Sequence, residues 1–518
     1  MDLGTAFIAA CTRMPDADAV VDGDVRRNYG AWHDEVLRVA GGLCSLGLTR
    51  GDHLVAVLAN RHEMATLYWA CQILGAIFTP FNWRASADEI AYVMADAGAQ
   101  LVAVDRNAAA AVEGAVAKTG FDRDRLIAVG GADGGASFAE LAGAVPVGGP
   151  VGVDERDICL MLYTSGTTGR PKGVPRSHRA ERTAAASCIA HLRYRFGEVQ
   201  LGVMPLFHTM GVRIMLASAM LSGKLVCMHG FDVEAALKLI EDERITALFL
   251  VPTMFHDMLH NPRFAAFDTK AVRNVAYAGM SMTTALERVC REKLAPEVFA
   301  NYYGSSEIFT FTVCDHLERK PGCAGIAGIN QQIRVVRADA GGSVTPDEIV
   351  PPGEVGEVVA SMRSPEAFSG YWKRPDADAR AIRSGWYFTG DLGRMDEDGE
   401  LFLCGRIDDM IISGGENIHP EEVEDTLADC RLVRQVAVVG LADERWGQKV
   451  VAFVEPADAE ASARALDAHC RNSVLARFKR PREYVFVERL PKSASGKLLR
   501  RLLREGQFAV LPGYDTTL

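Results

Sequence analysis

The sequence predicts an α/β protein: a large N-terminal domain of layered α/β subdomains that closes on a small β subdomain, then a small α+β C-terminal domain. Three observations predict it. Apolar runs of strand length alternate with segments of helical periodicity through most of the chain, the pattern of parallel sheet covered by helices. From Gly328 to Leu403 the pattern changes to short strands and turns (PPGEVGEV, DEDGELFLCGR). Past the short charged stretch Gly405-Arg406-Ile-Asp408-Asp409 lie about 110 residues with helices and strands of their own, enough for a separate small domain. At 518 residues the chain is too long for one core. We therefore expect residues 1–407 as the N-terminal domain, with the β subdomain at about 328–404, and 408–518 as the C-terminal one.

Taken in order, Tyr29 to Leu46 carries apolar residues at helical spacing and stops at Gly47. His53 to Ala59 is a buried-strand run, Glu63 to Gly75 a helix, and Leu101 to Asp105 a strand. Asp133-Gly-Gly-Ala-Ser137-Phe138 imitates the attachment site of a phosphopantetheine carrier domain. It lacks room for that domain's helical bundle and reads as a plain turn. Ser177 can cap a helix running to about Arg195. Gln200 to Leu206 is a strand, Val233 to Ile240 one helical face, Thr246 to Val251 and Val272 to Tyr277 strands, and a helix follows Thr283. In the last domain we expect helices at Pro420–Ala428 and 463–475 and strands at 433–439, 449–454 and 484–487.

Composition narrows the function. The chain is 48% apolar and 24% charged with a net charge of −11, which argues against a nucleic-acid or anionic-membrane partner. Anionic nucleotides must then be held by local clusters of Lys and Arg. The N-terminus shows no basic head followed by an apolar core, so no secretory signal is expected. The most apolar long stretch, Leu54 to Phe81, is broken by Arg61, His62 and Glu63, so no membrane span is expected either. Twelve cysteines without a Cys-x-x-Cys pair predict reduced thiols and a cytoplasmic protein.

The stretch that organises the chemistry is Tyr163 to Val174, YTSGTTGRPKGV. An apolar strand leads into Thr164, Ser165, Gly166, Thr167, Thr168 and Gly169, followed by Arg170-Pro-Lys172-Gly173. Glycines let backbone N–H groups turn inward, and four hydroxyls and a cation add donors for a polyphosphate. The spacing is not that of a Walker loop, because Lys172 follows a proline.

This loop resembles the phosphate loop of the adenylate-forming superfamily, which holds acyl-CoA synthetases, adenylation domains and firefly luciferase. Tyr302-Tyr303-Gly304-Ser305-Ser306-Glu307 resembles that family's Tyr-Gly-x-Thr-Glu element, with serine at 306 where threonine is usual. The resemblance implies that the tyrosine stacks on adenine, the hydroxyl meets the α-phosphate, and Glu307 holds Mg²⁺, with Thr168 as a second ligand. It also puts Gly279 at the nucleotide. Tyr387-Phe-Thr-Gly-Asp391 is similar to the element whose aspartate binds both ribose hydroxyls, a fitting acceptor for a vicinal diol, with Arg406 beside it. A lone lysine is ordinarily a solvated surface charge, yet Lys492-Ser-Ala-Ser-Gly-Lys497 follows the other elements in the family's order. The resemblance thereby makes Lys497 the catalytic lysine, and implies ATP, Mg²⁺ and coenzyme A as the small molecules used.

Within the superfamily the C-terminal strings look most like benzoate-type CoA ligases, such as those for 4-chlorobenzoate. By that resemblance Trp446, Phe478, Arg480 and Arg482 hold the CoA nucleotide and Gly414 with Gly415 lines the pantetheine tunnel. The small domain would swing about Asp408, presenting Lys497 for adenylation and the Gly414 loop for thioester formation. His208 falls on the family's gate position. Met210, Met280, Tyr302, Phe309 and Thr310 would complete the acyl pocket, a set with no charge that suits a single ring or short chain. Arg213, in an apolar run, either pairs with an internal acid or reaches the substrate. His256 and His260 have metal-ligand spacing but no third ligand in sight, and read as structural. The reading is an acid–CoA ligase for a small, benzoate-like carboxylic acid. A short or medium aliphatic acid–CoA ligase, a stand-alone adenylation enzyme loading a carrier protein and a luciferase-like oxygenase remain as alternatives, and a homodimer is left open.

Overall fold

The computed structural model describes residues 1–164, 170–338, 343–492 and 498–517. Among these residues one sheet has seven strands, in the spatial order Ala136–Ser137, Leu126–Val129, Ala99–Asp105, His53–Val57, Ile77–Pro80, Ile158–Thr164 and Lys172–Ser177. Neighbours are parallel apart from the last pair. The connection between Thr164 and Lys172 is too short for a crossover, so the chain must return antiparallel beside the strand it left.

The second sheet has nine strands. Val298–Tyr303, Asn274–Ala278, Ala247–Leu250, Val199–Gly202 and Lys224–Cys227 form its parallel body. Thr312–Cys314 and Ile326–Ala327 extend one edge antiparallel. The other edge is the hairpin Asp18–Asp22/Val25–Asn28, whose Val20 lies opposite Leu225. The first strands of the chain thus complete a sheet built from its middle. The helix His62–Leu74 is buried along almost its whole length, with Trp69 stacked on Phe7 at 4.6 Å. Buried on every side, it shows the all-round apolar composition of an internal helix and no amphipathic stripe.

A third, antiparallel sheet holds Ile333–Val336, Gly356–Ser361, Trp386–Met395, Ile382–Arg383 and Leu401–Arg406. After the turn Ile407–Asp409 comes the C-terminal sheet of Ile411–Ser413, Glu416–Ile418, Val433–Asp443, Gly447–Pro456 and Glu483–Phe486. Alternation along its central strands splits its core in two. Val438, Val450 and Val454 pack under Val423, Leu427 and Leu466, whereas Val439, Val451 and Phe453 pack against Leu503 on the opposite face. The architecture is the expected α/β one, with a large N-terminal and a small C-terminal domain.

Several expected boundaries move. The helix expected to 475 ends at Arg471, and the strand expected to Leu206 ends at Gly202. Pro205 cannot donate to a ladder, which favours the earlier stop. Asp133–Phe138 is not a plain turn. Ala136–Ser137 pairs with the edge of the seven-stranded sheet, and Ser137 with Glu140 forms a capping box on the helix Phe138–Ala142. Ser177 does cap its helix, accepting from Ala180 N–H, and that helix runs to His191. No helix among the described residues is long and apolar enough to cross a membrane.

Candidate active site

Lys172 begins the returning strand of the phosphate-loop hairpin, and its neighbour Gly173 explains where that strand can lie. A Cβ at 173 would stand 2.9 Å from Trp372 Cβ, so only glycine lets Trp372 pack there, with Trp372 N–H donating to Gly173 O at 2.8 Å. This docking brings Tyr371 under Lys172, whose Nζ lies 4.1 Å from the ring centroid. The Tyr371 hydroxyl donates to Glu307 Oε1 at 2.7 Å. Burial lowers the Lys172 ammonium. Glu307 opposes that, and Arg374, Arg380 and Arg406 add to it. Four cations thus act on one corner of a chain that is negative overall.

Glu307 is held from behind as well. Gly304-Ser305 turns so tightly that a Cβ at 304 would sit 1.6 Å from Phe309 O. The Ser305 hydroxyl accepts from the N–H groups of Glu307 and Ile308. Arg176 Nη1 donates to the carbonyl oxygens of Glu307 and Glu366, both at 2.7 Å, and its Nε to Glu181 Oε1 at 2.8 Å. Arg213 pairs with the same Glu181, and Thr310 N–H donates to Glu366 Oε2. Two arginines and two glutamates, all fully buried, balance each other there. Of the two readings of Arg213, the internal acid is the one seen. Its guanidinium also lies 5.3 Å from the Phe309 ring centroid.

The two tyrosines of the Tyr302-Tyr303 pair point to opposite faces of their strand, as the period of two requires. Tyr303 donates to Asp391 Oδ2 at 2.7 Å, and Arg406 Nη1 stands 3.3 Å from Asp391 Oδ1. Tyr302 bonds Thr310 Oγ1 at 2.7 Å and packs on Phe249 and Phe309 at 5.6 and 5.1 Å. The nucleotide and acyl roles expected of Tyr302 therefore sit on different faces, and the side of Asp391 belongs to Tyr303. Tyr387 links the groups: its hydroxyl is 3.3 Å from that of Tyr371, and its ring stacks on Phe311 beside Tyr303.

Met210, Phe309, Thr310 and Tyr302 are buried, while His208 and Met280 are half-buried and Gly279 is exposed. His208 precedes the helix Thr209–Met220, 5.2 Å from the Phe207 ring. His256 and His260 stack on each other at 4.4 Å. Thr164 ends its strand half-buried, and Ser306 is half-buried beside Glu307. Ser165, Gly166, Thr167, Thr168, Gly169 and Lys497 lie outside the described residues.

In the C-terminal domain Gly414 N–H donates to Trp446 O at 2.8 Å, and the Arg482 guanidinium lies 4.1 Å from the Trp446 ring centroid. Gly415 follows, exposed. Phe478 and Arg480 sit on and just after the turn Arg477–Lys479. Arg480 Nη1 lies 3.9 Å from Asp467 Oδ1, so its charge already has a neighbour. Asp408 lies in the turn between the third sheet and the C-terminal one. Next to it, Asp409 binds Arg500 and Arg504 from the C-terminal helix.

Sequence reasoning missed Tyr371, Arg176 and Glu366. Tyr371 follows a glycine in a turn-rich stretch, and nothing local marks it. Arg176 offered a signal, a charge directly after the apolar pair Val174-Pro175 near the end of a strand.

The AMP-binding enzyme family matches residues 7–372, and the AMP-binding enzyme C-terminal domain matches residues 422–497. The chain is 34% identical over 508 residues to a feruloyl-CoA synthase of Amycolatopsis sp., covering 97% of this chain and 98% of that one. It is 32% identical over 518 residues to the long-chain-fatty-acid–CoA ligase FadD13 of Mycobacterium tuberculosis, covering 99% of each. Among solved structures it matches the anthranilate CoA ligase AuaEII in complex with anthranoyl-AMP with a TM-score of 0.90, at 25% identity over 98% of this chain and 97% of that one.

Proposed function

The chain belongs to the AMP-binding enzyme family, and on that premise we propose that it is an ATP-dependent acid–CoA ligase acting on an aryl carboxylic acid. The observation that carries the reading is the connected set Lys172–Tyr371–Glu307 and Tyr303–Asp391–Arg406, which offers cations for phosphate and an acceptor for a ribose diol. A free carboxylate is a poor electrophile towards a thiol. Attack of its oxygen on the α-phosphorus of ATP breaks the bond to pyrophosphate and leaves an acyl-adenylate. The thiol of coenzyme A then attacks the acyl carbon, and AMP departs.

In this scheme Asp391 accepts from the ribose hydroxyls, with Tyr303 and Arg406 holding it. Lys172 and its arginine neighbours attract the departing pyrophosphate. Lys497 meets the charge that builds on the α-phosphoryl oxygens, a contact of the kind worth ~3 kcal/mol. Mg²⁺ fits the donor present, because Glu307 offers hard carboxylate oxygens. When bound, Mg²⁺ would supply Lewis-acid neutralisation of phosphate charge. Coenzyme A would lie against Trp446, Phe478, Arg480 and Arg482, its arm passing Gly414, after the small domain turns about Asp408. All twelve cysteines are free, which supports a reducing compartment such as the cytoplasm.

An aryl acid is supported by the similarity to the feruloyl-CoA synthase and to the anthranilate CoA ligase. The mutual packing of Phe249, Tyr302 and Phe309 favours a shallow, ring-sized floor. The fatty-acid relative favours a second reading, a long-chain acid. Pyrophosphate release and thioester mass, measured over aromatic and straight-chain acids with and without coenzyme A, decide between them. Turnover confined to long chains overturns the aryl assignment. Pyrophosphate release with no CoA thioester formed overturns the ligase.

A further inference from the structure

Away from the nucleotide side, the loop between Thr312–Cys314 and Ile326–Ala327 brings two thiols together. The ligand atoms of Cys314, Cys323 and Glu400 lie within 4.8 Å of one another. Both sulfurs are fully buried. Cys323 Sγ is 3.1 Å from Glu400 Oε2, and His316 Nε2 is 2.9 Å from that same oxygen. Gly325 N–H donates to Cys323 Sγ at 3.1 Å, the kind of outer hydrogen bond that stabilises a thiolate ligand.

The surrounding charge is negative. Asp396, Asp398 and Glu400 share a single ammonium, Lys320, at 2.7, 2.6 and 3.2 Å. One lysine leaves an excess of anion beside two soft donors, an imidazole and a carboxylate. A borderline-soft dication suits that donor set better than a hard one. A disulfide is the other chemistry open to two adjacent thiols, but an oxidant or exchanging thiol must reach sulfur, and both atoms are sealed from solvent.

We propose that Cys314, Cys323 and Glu400, with His316 orienting the Glu400 carboxylate from outside, form a structural Zn²⁺ site that staples together the two elements flanking the ribose cradle. Cys314 lies opposite Asn301, next to Tyr302-Tyr303, and Asn301 Nδ2 donates to Cys323 O at 2.9 Å. On the other side Gly325 bridges to Leu401, which begins the strand ending in Arg406. A metal here crosslinks the strand of Tyr303 to the hairpin of Arg406, and thus steadies both partners of Asp391.

The test uses the full-length chain and the metal alone. Purified without chelator, it is expected to retain about one zinc. After stripping, Co²⁺ is expected to give a near-ultraviolet thiolate charge-transfer band and tetrahedral visible bands, both displaced by Zn²⁺. Cys314→Ser and Cys323→Ser should each weaken zinc by at least ~10- to 100-fold and lower the thiolate band, and the double variant should abolish it. A wild-type Co²⁺ spectrum without that band overturns the proposal, whatever the variants do. So does zinc retained equally by the double variant, or an intact mass two hydrogens light from a disulfide.

Discussion

Removing a single hydroxyl, by Tyr371→Phe, probes the connection between Glu307 and Lys172. The ring stays, so the ammonium keeps its seat at 4.1 Å. What is lost is the 2.7 Å bond to a carboxylate that is only 7% exposed. A hydrogen bond to a charged group contributes roughly 1.5–3 kcal/mol, which corresponds to about 10- to 150-fold in rate if it is felt wholly in adenylation. The assay is acid-dependent ATP–pyrophosphate exchange, set beside transfer from supplied acyl-adenylate to coenzyme A. We expect exchange to fall within that range and transfer to change by less than about threefold. Tyr387→Phe is the control, since among the described residues its hydroxyl makes only the 3.3 Å contact to Tyr371, and it should cost well under 1 kcal/mol. Exchange unchanged in Tyr371→Phe, or both half-reactions reduced alike, refutes the role given to Glu307.

Gly304→Ala puts a methyl 1.6 Å from Phe309 O, against backbone that cannot rotate away, so a stability loss of more than ~2 kcal/mol is expected in denaturant unfolding. Lys497→Ala should abolish adenylate formation and spare transfer from acyl-adenylate, as paired half-reaction assays will read. Trp446→Ala and Arg482→Ala should each raise KM for coenzyme A, by about 3- to 30-fold for a stacked cation, with KM for ATP unmoved. His62 supplies a pH test: burial pulls its imidazole down, but Glu35 and Glu63 outweigh that and hold it at about 9. Because this lies above the unfolded value near 6.5, its contribution of roughly 3 kcal/mol is full below pH ~6.5 and is lost as pH rises through 9. Melting curves across that range should decline in wild type and flatten in His62→Gln.

Much of the fold was legible because its signals are local. Strand runs, helical periodicity and the caps at Ser177 and Thr283 each depend on a few neighbouring residues. One error fell where a distant partner decides. Ala136–Ser137 becomes a strand because the edge at Ile127–Ala128 offers it a ladder, which no propensity records. The placing of Asp18–Asp22, on which no expectation had been formed, in a sheet made mainly of residues 199–327 has the same cause.

The sequence by itself determined the chemistry on offer: ordered motifs, a hydroxyl- and glycine-rich loop, an aspartate for a diol and cations for phosphate. Those are matters of residue type and spacing, which a single chain displays in full. Only the tertiary structure decided which side chains meet. It set Tyr302 and Tyr303 on opposite faces, assigned Arg213 to Glu181, and brought Tyr371 from far along the chain to join Glu307 and Lys172. Such contacts arise from the packing of one sheet and loop against another, and packing is a property of the whole fold that no local stretch encodes.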